Sequence, residues 1–124
     1  MKFQPDTLAG VNVISRHEPG QLWVAKVLYT RSALVPWTGE VLAWGVDQFT
    51  DLRPEHFERV AQLRPEVVIF GSGQRLRFPA PALLKTLISR RIGVETMDMA
   101  AAARTYNVLV NEGRSVLGAF LIET

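Results

Sequence analysis

The chain has 124 residues, of which 48% are hydrophobic and 21% are charged, a composition that excludes a disordered chain and is typical of one folded domain. It contains no cysteine, which excludes disulfides, thiolate nucleophiles and cysteine-based metal sites. With only two histidines, a protein-held transition metal is not expected, and no cofactor is predicted. The net charge of +2 does not indicate a nucleic-acid partner.

The sequence has no apolar run long enough to cross a bilayer. Residues 1–7 lack the basic start and the apolar centre of a secretory signal, and no leader rich in arginine and serine is seen. We therefore expect a cytoplasmic protein without an integral membrane segment.

The first third of the sequence predicts antiparallel strands. Residues 11–15 and 22–30 are rich in β-branched and aromatic side chains and are separated by a Pro-Gly turn. Further short strands are expected at residues 33–35 and 40–45, the second of which is an apolar run. The N-terminal part is thus predicted to be mostly sheet.

A first helix is predicted to start at Pro54, because apolar side chains then recur at helical spacing, and to end before Pro65. Residues 67–70 form a short continuous apolar run bounded by proline and glycine. Such a run is typical of a central strand that is covered on both faces. A helix on each side of the sheet is the expected cover.

The rest of the sequence alternates helix and strand. A second helix is expected over residues 79–92, with Gly93 as its stop, and Asp98 and Gly113 are suited to cap a third helix at its two ends. The other expected elements are a strand at residues 94–97, the third helix at residues 99–111 and a last strand at residues 116–122. This order predicts an α/β fold: one three-layer domain over residues 1–124, with a mixed central β-sheet, flanking helices and an antiparallel N-terminal β portion.

Gly71, Ser72, Gly73 and Gln74 follow the predicted central strand. Ligands often bind at the carboxyl ends of parallel strands, and glycines let backbone N–H groups approach an anion, so this loop is a candidate anion cradle. The dinucleotide fingerprint is not matched, because Leu76 stands where a third glycine or alanine is needed, and the nucleophile-elbow pattern fails as well. The alternative is that these glycines only form a turn after a strand.

Asp98, Arg104 and Asn107 are the polar side chains near the third helix that are candidates for binding a ligand. Asp98 is interpreted as an N-cap, with a general base or a partner for Arg104 as the alternative. Arg104 either binds an anion held by the glycine loop or pairs with a carboxylate such as Glu95. We expect the fold to bring the loop and Arg104 close together. For Asn107 the alternative to ligand binding is a hydrogen bond to neighbouring backbone.

Trp37 is the tryptophan expected to reach the surface, because it follows a proline and precedes Thr38 and Gly39. Exposed tryptophans are frequent anchors of protein partners. Trp23 and Trp44 lie on or beside predicted strands, where large rings fill a sheet face. Trp37 is therefore the candidate partner surface.

Two segments carry a resemblance to a known family. One is the Pro-Glu-apolar-Gly-Ser-Gly element that ends at Gly73, and the other contains the following residues: Glu95, Met97, Asp98, Ala101, Ala102, Arg104, Thr105, Tyr106, Asn107, Leu109, Glu112, Gly113 and Arg114. With Trp44, they resemble a small α/β domain family of unknown activity that includes the mitochondrial complex I (NADH dehydrogenase) assembly factor and the adipogenesis-associated Mth-domain protein. Ser72 and Met99 stand where threonine is common in relatives. Ser72 keeps a hydroxyl but Met99 does not, so a contact that uses a hydroxyl at position 99 is lost here.

The resemblance implies a three-layer α/β fold and, for eukaryotic relatives, a role in assembling respiratory complex I. It transfers no catalytic residue to this chain. We expect a non-enzymatic domain that binds another protein and assists assembly of a membrane-associated complex. The alternative is a small anionic-ligand-binding protein or enzyme, with its site between the glycine loop and the third helix.

Overall fold

The computed structural model describes residues 10–124. In chain order its elements are β1 (Ile14–Glu18), β2 (Gln21–Val24), β3 (Val27–Tyr29), β4 (Ala33–Pro36), β5 (Leu42–Ala43), α1 (Pro54–Gln62), β6 (Val67–Gly71), α2 (Lys85–Ser89), β7 (Gly93–Met97), α3 (Met99–Asn111) and β8 (Val116–Phe120). Within this range, none of the helices combines the length and the apolar character needed to span a membrane. The prediction about residues 1–7 lies outside the described residues.

The central sheet has five strands in the order β5-β4-β8-β6-β7. Strand β8 pairs antiparallel with β4 and parallel with β6, and β7 pairs parallel with β6. All residues of β6 and β8 are buried, because both faces of the sheet are covered. The predicted mixed central sheet is confirmed.

The sheet lies between two other layers. On one face, Trp44 packs edge-on against Phe57 of α1 and Phe70 of β6, with ring centroids 5.6 and 5.9 Å apart, and Leu87 of α2 joins the same core cluster. On the other face, α3 and the antiparallel sheet β1-β2-β3 share a second core cluster with β6 and β8. The predicted three-layer α/β architecture is therefore confirmed.

The predicted strand over residues 22–30 is two strands instead of one. Ala25 and Lys26 have φ values of 48° and 72°, which form a tight turn between β2 and β3. Neither residue is glycine or asparagine, so the sequence gives no turn signal there. Strand β1 starts at Ile14, later than predicted, and continues to the turn before Gln21.

The predicted second helix is much shorter than expected. A 3-10 turn at Pro81–Leu84 precedes α2, which has five residues, and its end is marked by Arg91 in the left-handed conformation with φ 59°. Gly93 is the first residue of β7 and does not stop the helix. The apolar run at residues 40–45 forms only the two-residue strand β5, because Gly45 turns the chain with φ 83°.

Candidate functional site

Gly71 ends β6 where the sheet and α3 approach closely. A Cβ atom added there would lie 2.9 Å from Cδ1 of Phe120 and 3.3 Å from Cβ of Ala102. The C=O of Gly71 accepts a hydrogen bond from the N–H of Leu121 at 2.9 Å. Packing therefore accounts for a glycine at this position without a ligand.

Ser72 is fully buried and its hydroxyl is used inside the loop. The hydroxyl donates to the C=O of Arg75 at 2.7 Å and accepts from the N–H of Arg77 at 3.0 Å. The backbone N–H of Ser72 donates to the C=O of Met97 at 2.8 Å, which ties the loop to the end of β7. The side chain thus fixes the course of residues 72–77.

Gly73 connects the loop to the start of α3. Its φ of 99° is a conformation that favours glycine, and its C=O accepts from the N–H of Met99 at 2.7 Å. Asp98 is the N-cap, and its Oδ1 accepts from the N–H of Ala101 at 2.9 Å. The predicted cap is confirmed, and two of the N–H groups that open α3 already have acceptors from within the chain.

Asn107 holds the small sheet, formed by β1, β2 and β3, onto α3. Its Oδ1 accepts from the N–H of Ile14 at 2.9 Å, and its Nδ2 donates to the C=O of the same residue at 2.8 Å. The carboxamide thus makes the two backbone hydrogen bonds to Ile14 that a neighbouring strand would otherwise make. At the preceding position of the helix, the Tyr106 hydroxyl donates to the C=O of Pro36 at 3.0 Å, and burial raises the pKa of Tyr106 above its ordinary range.

Arg104 is exposed on α3, and its Nη1 lies 3.4 Å from the C=O of Ala100, one turn earlier. The ion pairs of the described chain are Arg16–Glu18, Arg31–Asp47, Arg77–Glu123 and Arg114–Glu66, so Arg104 and Glu95 form none within residues 10–124. Among the described residues, Arg104 is therefore held only by its own helix.

A cavity of about 570 Å³ opens beside the glycine loop, between the β1–β2 turn, the start of α3 and residues 121–123. Of the predicted residues, Gly73, Gln74 and Asp98 line it. The other four predicted residues do not line the cavity. Gly71 and Ser72 are buried beneath the loop, and Arg104 and Asn107 lie further along α3. The fold thus brings part of the predicted site together.

An ion pair that the sequence analysis did not predict borders this cavity. Nη2 of Arg77 lies 2.7 Å from Oε1 of Glu123 and also donates to the C=O of Ser72 at 2.7 Å. Oε2 of Glu123 accepts from the N–H of Phe49 at 2.8 Å, and the Arg77 guanidinium lies over the Phe49 ring, 4.7 Å from its centroid. The hydrogen bond from Arg77 holds the pKa of Glu123 below its ordinary value.

Charges of both signs line the cavity. The basic side chains are His17, Arg75 and Arg77, and the acidic ones are Glu18, Asp98 and Glu123. The carboxylates already have partners within the chain, since Asp98 caps α3, Glu123 binds Arg77 and Glu18 lies 3.3 Å from an arginine of β1. Electrostatics therefore do not single out an anion as the ligand. Residues 10–124 also hold no cluster of three side chains suited to a metal ion.

Trp37 borders a second, smaller cavity of about 400 Å³ near the opposite end of the sheet. The apolar part of its lining includes Pro36, Trp37, Leu42, Leu63 and Pro65, and we call this surface the Trp37 groove. Trp37 is half-buried against the core, and Leu63 is 40% exposed. The predicted partner surface is thus part of an open apolar groove.

Comparison with known proteins gives the family. Residues 14–121 match the family described as "Protein of unknown function (DUF498/DUF598)". The chain belongs to this family. It is also similar to the NADH dehydrogenase [ubiquinone] 1 alpha subcomplex assembly factor 3 of Bos taurus, with 38% identity over 92 residues that cover 73% of this chain and 48% of the relative. It therefore spans about half the length of the Bos taurus and Mus musculus relatives that carry this name.

Two solved structures are similar over most of the chain. A crystal structure of a Bordetella parapertussis protein superposes with a TM-score of 0.87 and 33% identity, covering 93% of this chain and 98% of the other. A solution structure from Bordetella pertussis, described as a Mth938-like domain, has a TM-score of 0.84 and 28% identity, covering 99% and 93% of the two chains. The family resemblance seen in the sequence is confirmed.

Proposed function

We propose that this domain acts by binding another protein, without catalysis, and that it assists the assembly of a membrane-associated respiratory complex. The relatives named as complex I assembly factors support this proposal. This chain spans about half the length of those relatives. We therefore propose, for this chain, the assembly role that their names give to the whole proteins. The cytoplasmic location and the single-domain organisation likewise stay predictions.

The observation that carries the proposal is the Trp37 groove. A tryptophan, two leucines and two prolines contribute apolar surface to one open depression. Interfaces commonly centre on an aromatic anchor within such a depression, with polar residues at its rim. Here Thr38 and Glu40 supply polar rim groups. The groove therefore fits an apolar segment of a protein partner better than it fits a small polar ligand.

The test is complementation in the native cell. A strain without this protein should lose assembled NADH dehydrogenase, and the wild-type gene should restore it. Leu63→Glu should fail to restore it, because a charge is placed on the exposed wall of the groove while Trp37 stays in position. Phe78→Ala is the matched control, since Phe78 is 70% exposed and does not line the groove. Restoration by Leu63→Glu at normal protein level would refute the groove as the binding surface.

A second candidate function is ligand binding in the 570 Å³ cavity, since a cavity of this volume lies within the usual range for small-molecule sites. The mixed charges of the lining favour a zwitterionic ligand over a simple anion. A thermal-shift screen with inorganic phosphate, nucleotides and amino acids tests this function. Inorganic phosphate should leave the melting temperature unchanged; a shift that Arg75→Ala removes would establish an anion site instead.

A further inference from the structure

Strand β7 forms one edge of the central sheet, and its outer side has no partner strand within residues 10–124. The C=O of Met97 accepts from Ser72, so the backbone of Met97 faces β6. Backbone groups alternate along a strand, which means that the N–H and C=O groups of Val94 and Thr96 point away from the sheet. The opposite edge, β5, has only two residues and offers a much shorter template.

A row of outward backbone donors and acceptors is complementary to another extended chain. Natural edges are often protected by proline, bulges or very short strands. Strand β7 has five residues, contains no proline and pairs with β6 in unbroken register. Val94 and Thr96 are β-branched residues that favour strand pairing. Hence β7 keeps the geometry needed to accept a sixth strand.

Glu95 lies at the middle of this edge and decides which strand fits. Its side chain is exposed and forms no ion pair with the described residues. If two copies of β7 paired antiparallel over all five residues, the two Glu95 side chains would lie directly opposite each other. Like charges at such a position are destabilising, so Glu95 disfavours a second copy of this chain.

We propose that β7 binds an extended segment of a different protein, antiparallel and with a lysine or arginine opposite Glu95. Val94 and Thr96 supply the backbone hydrogen bonds, and Glu95 selects the basic residue at a non-hydrogen-bonded pair, where opposite side chains are closest. This inference rests on the proposed protein-binding function but uses a different surface, because the Trp37 groove adjoins β4 and β5 at the other edge of the sheet.

The probe is the acetylated and amidated peptide Ser-Thr-Val-Thr-Lys-Thr-Val-Thr-Ser, with a twin in which glutamate replaces the lysine. The lysine peptide should bind the full chain about tenfold more tightly than its twin, because attraction is exchanged for repulsion at one cross-strand pair. In Glu95→Lys the preference should reverse. Methylation of the backbone nitrogens on both sides of the lysine should abolish binding, since it removes the donors that face Val94 and Thr96.

Titration calorimetry measures the affinities, and amide hydrogen exchange locates the contact. Slower exchange at Val94 and Thr96 with the lysine peptide supports the proposal. Equal affinity for both peptides, no binding at millimolar concentration, or protection elsewhere would overturn it. Leu63→Glu should bind the peptide as the wild type does. Failure of the groove in complementation can therefore be told apart from failure of the β7 edge.

Discussion

Removing the carboxamide of Asn107 should weaken the attachment of the small sheet to α3. The side chain makes two hydrogen bonds to the backbone of Ile14, at 2.9 and 2.8 Å. Each such bond contributes about 0.5–1.5 kcal/mol net, so Asn107→Ala should lower the free energy of unfolding by about 1–3 kcal/mol. Asn107→Asp should be at least as harmful, because it keeps the acceptor but places a carboxylate beside the Ile14 C=O.

Urea unfolding followed by circular dichroism measures the total loss, and amide exchange shows where it occurs. Exchange should accelerate more at Ile14 and Leu22 than in β6, since the first two belong to the small sheet. Val108→Ala is the matched control on the same helix: Val108 is 53% exposed, and its replacement should change stability by less than about 0.5 kcal/mol. If Asn107→Ala shifts neither the urea midpoint nor the exchange of Ile14, the two hydrogen bonds do not hold the sheet.

Gly71→Ala should destabilise the fold by about 1–3 kcal/mol in urea unfolding, because the added Cβ would lie 2.9 Å from the Phe120 ring; an unchanged midpoint would show that the ring yields freely. Asp98→Asn should keep most of the stability and Asp98→Ala should lose about 1 kcal/mol, and equal losses would mean that the charge matters. Glu123 has a lowered pKa in the folded state, so its contribution to stability is present above its unfolded pKa and is lost as pH falls through the folded value. Glu123→Gln should therefore reduce the loss of thermal stability on acidification, and an identical pH dependence in wild type and variant would contradict this.

The architecture could be predicted because local patterns and the fold agree. The apolar run at residues 67–70 is bounded by a proline and a glycine, and it forms the buried strand β6. Asp98 precedes a helix of 13 residues, and Gly113 follows it with φ 77°. These signals are contained in a few neighbouring residues, so they can be read without knowledge of the tertiary structure.

Features that the sequence did not predict occur where the tertiary structure determines the local conformation. The turn at Ala25 and Lys26 has φ values above zero without any residue that favours them, and the sheet pairing around it fixes that turn. Arg77 and Glu123 are 46 residues apart, so their ion pair leaves no periodic trace in the sequence. Asn107 binds the backbone of Ile14, 93 residues away. Every residue type has such backbone groups, so the sequence does not indicate this partner.

The polar residues of α3 illustrate why recognition of a family did not identify a reaction. Asp98 caps the helix, Tyr106 binds the C=O of Pro36, and Asn107 holds Ile14. The bonds of Tyr106 and Asn107 join α3 to β4 and to the small sheet, so packing two sheets around one helix accounts for these two residues of the motif. The surfaces that we propose for protein binding, the Trp37 groove and the edge around Glu95, therefore do not depend on a reaction at these polar residues of α3.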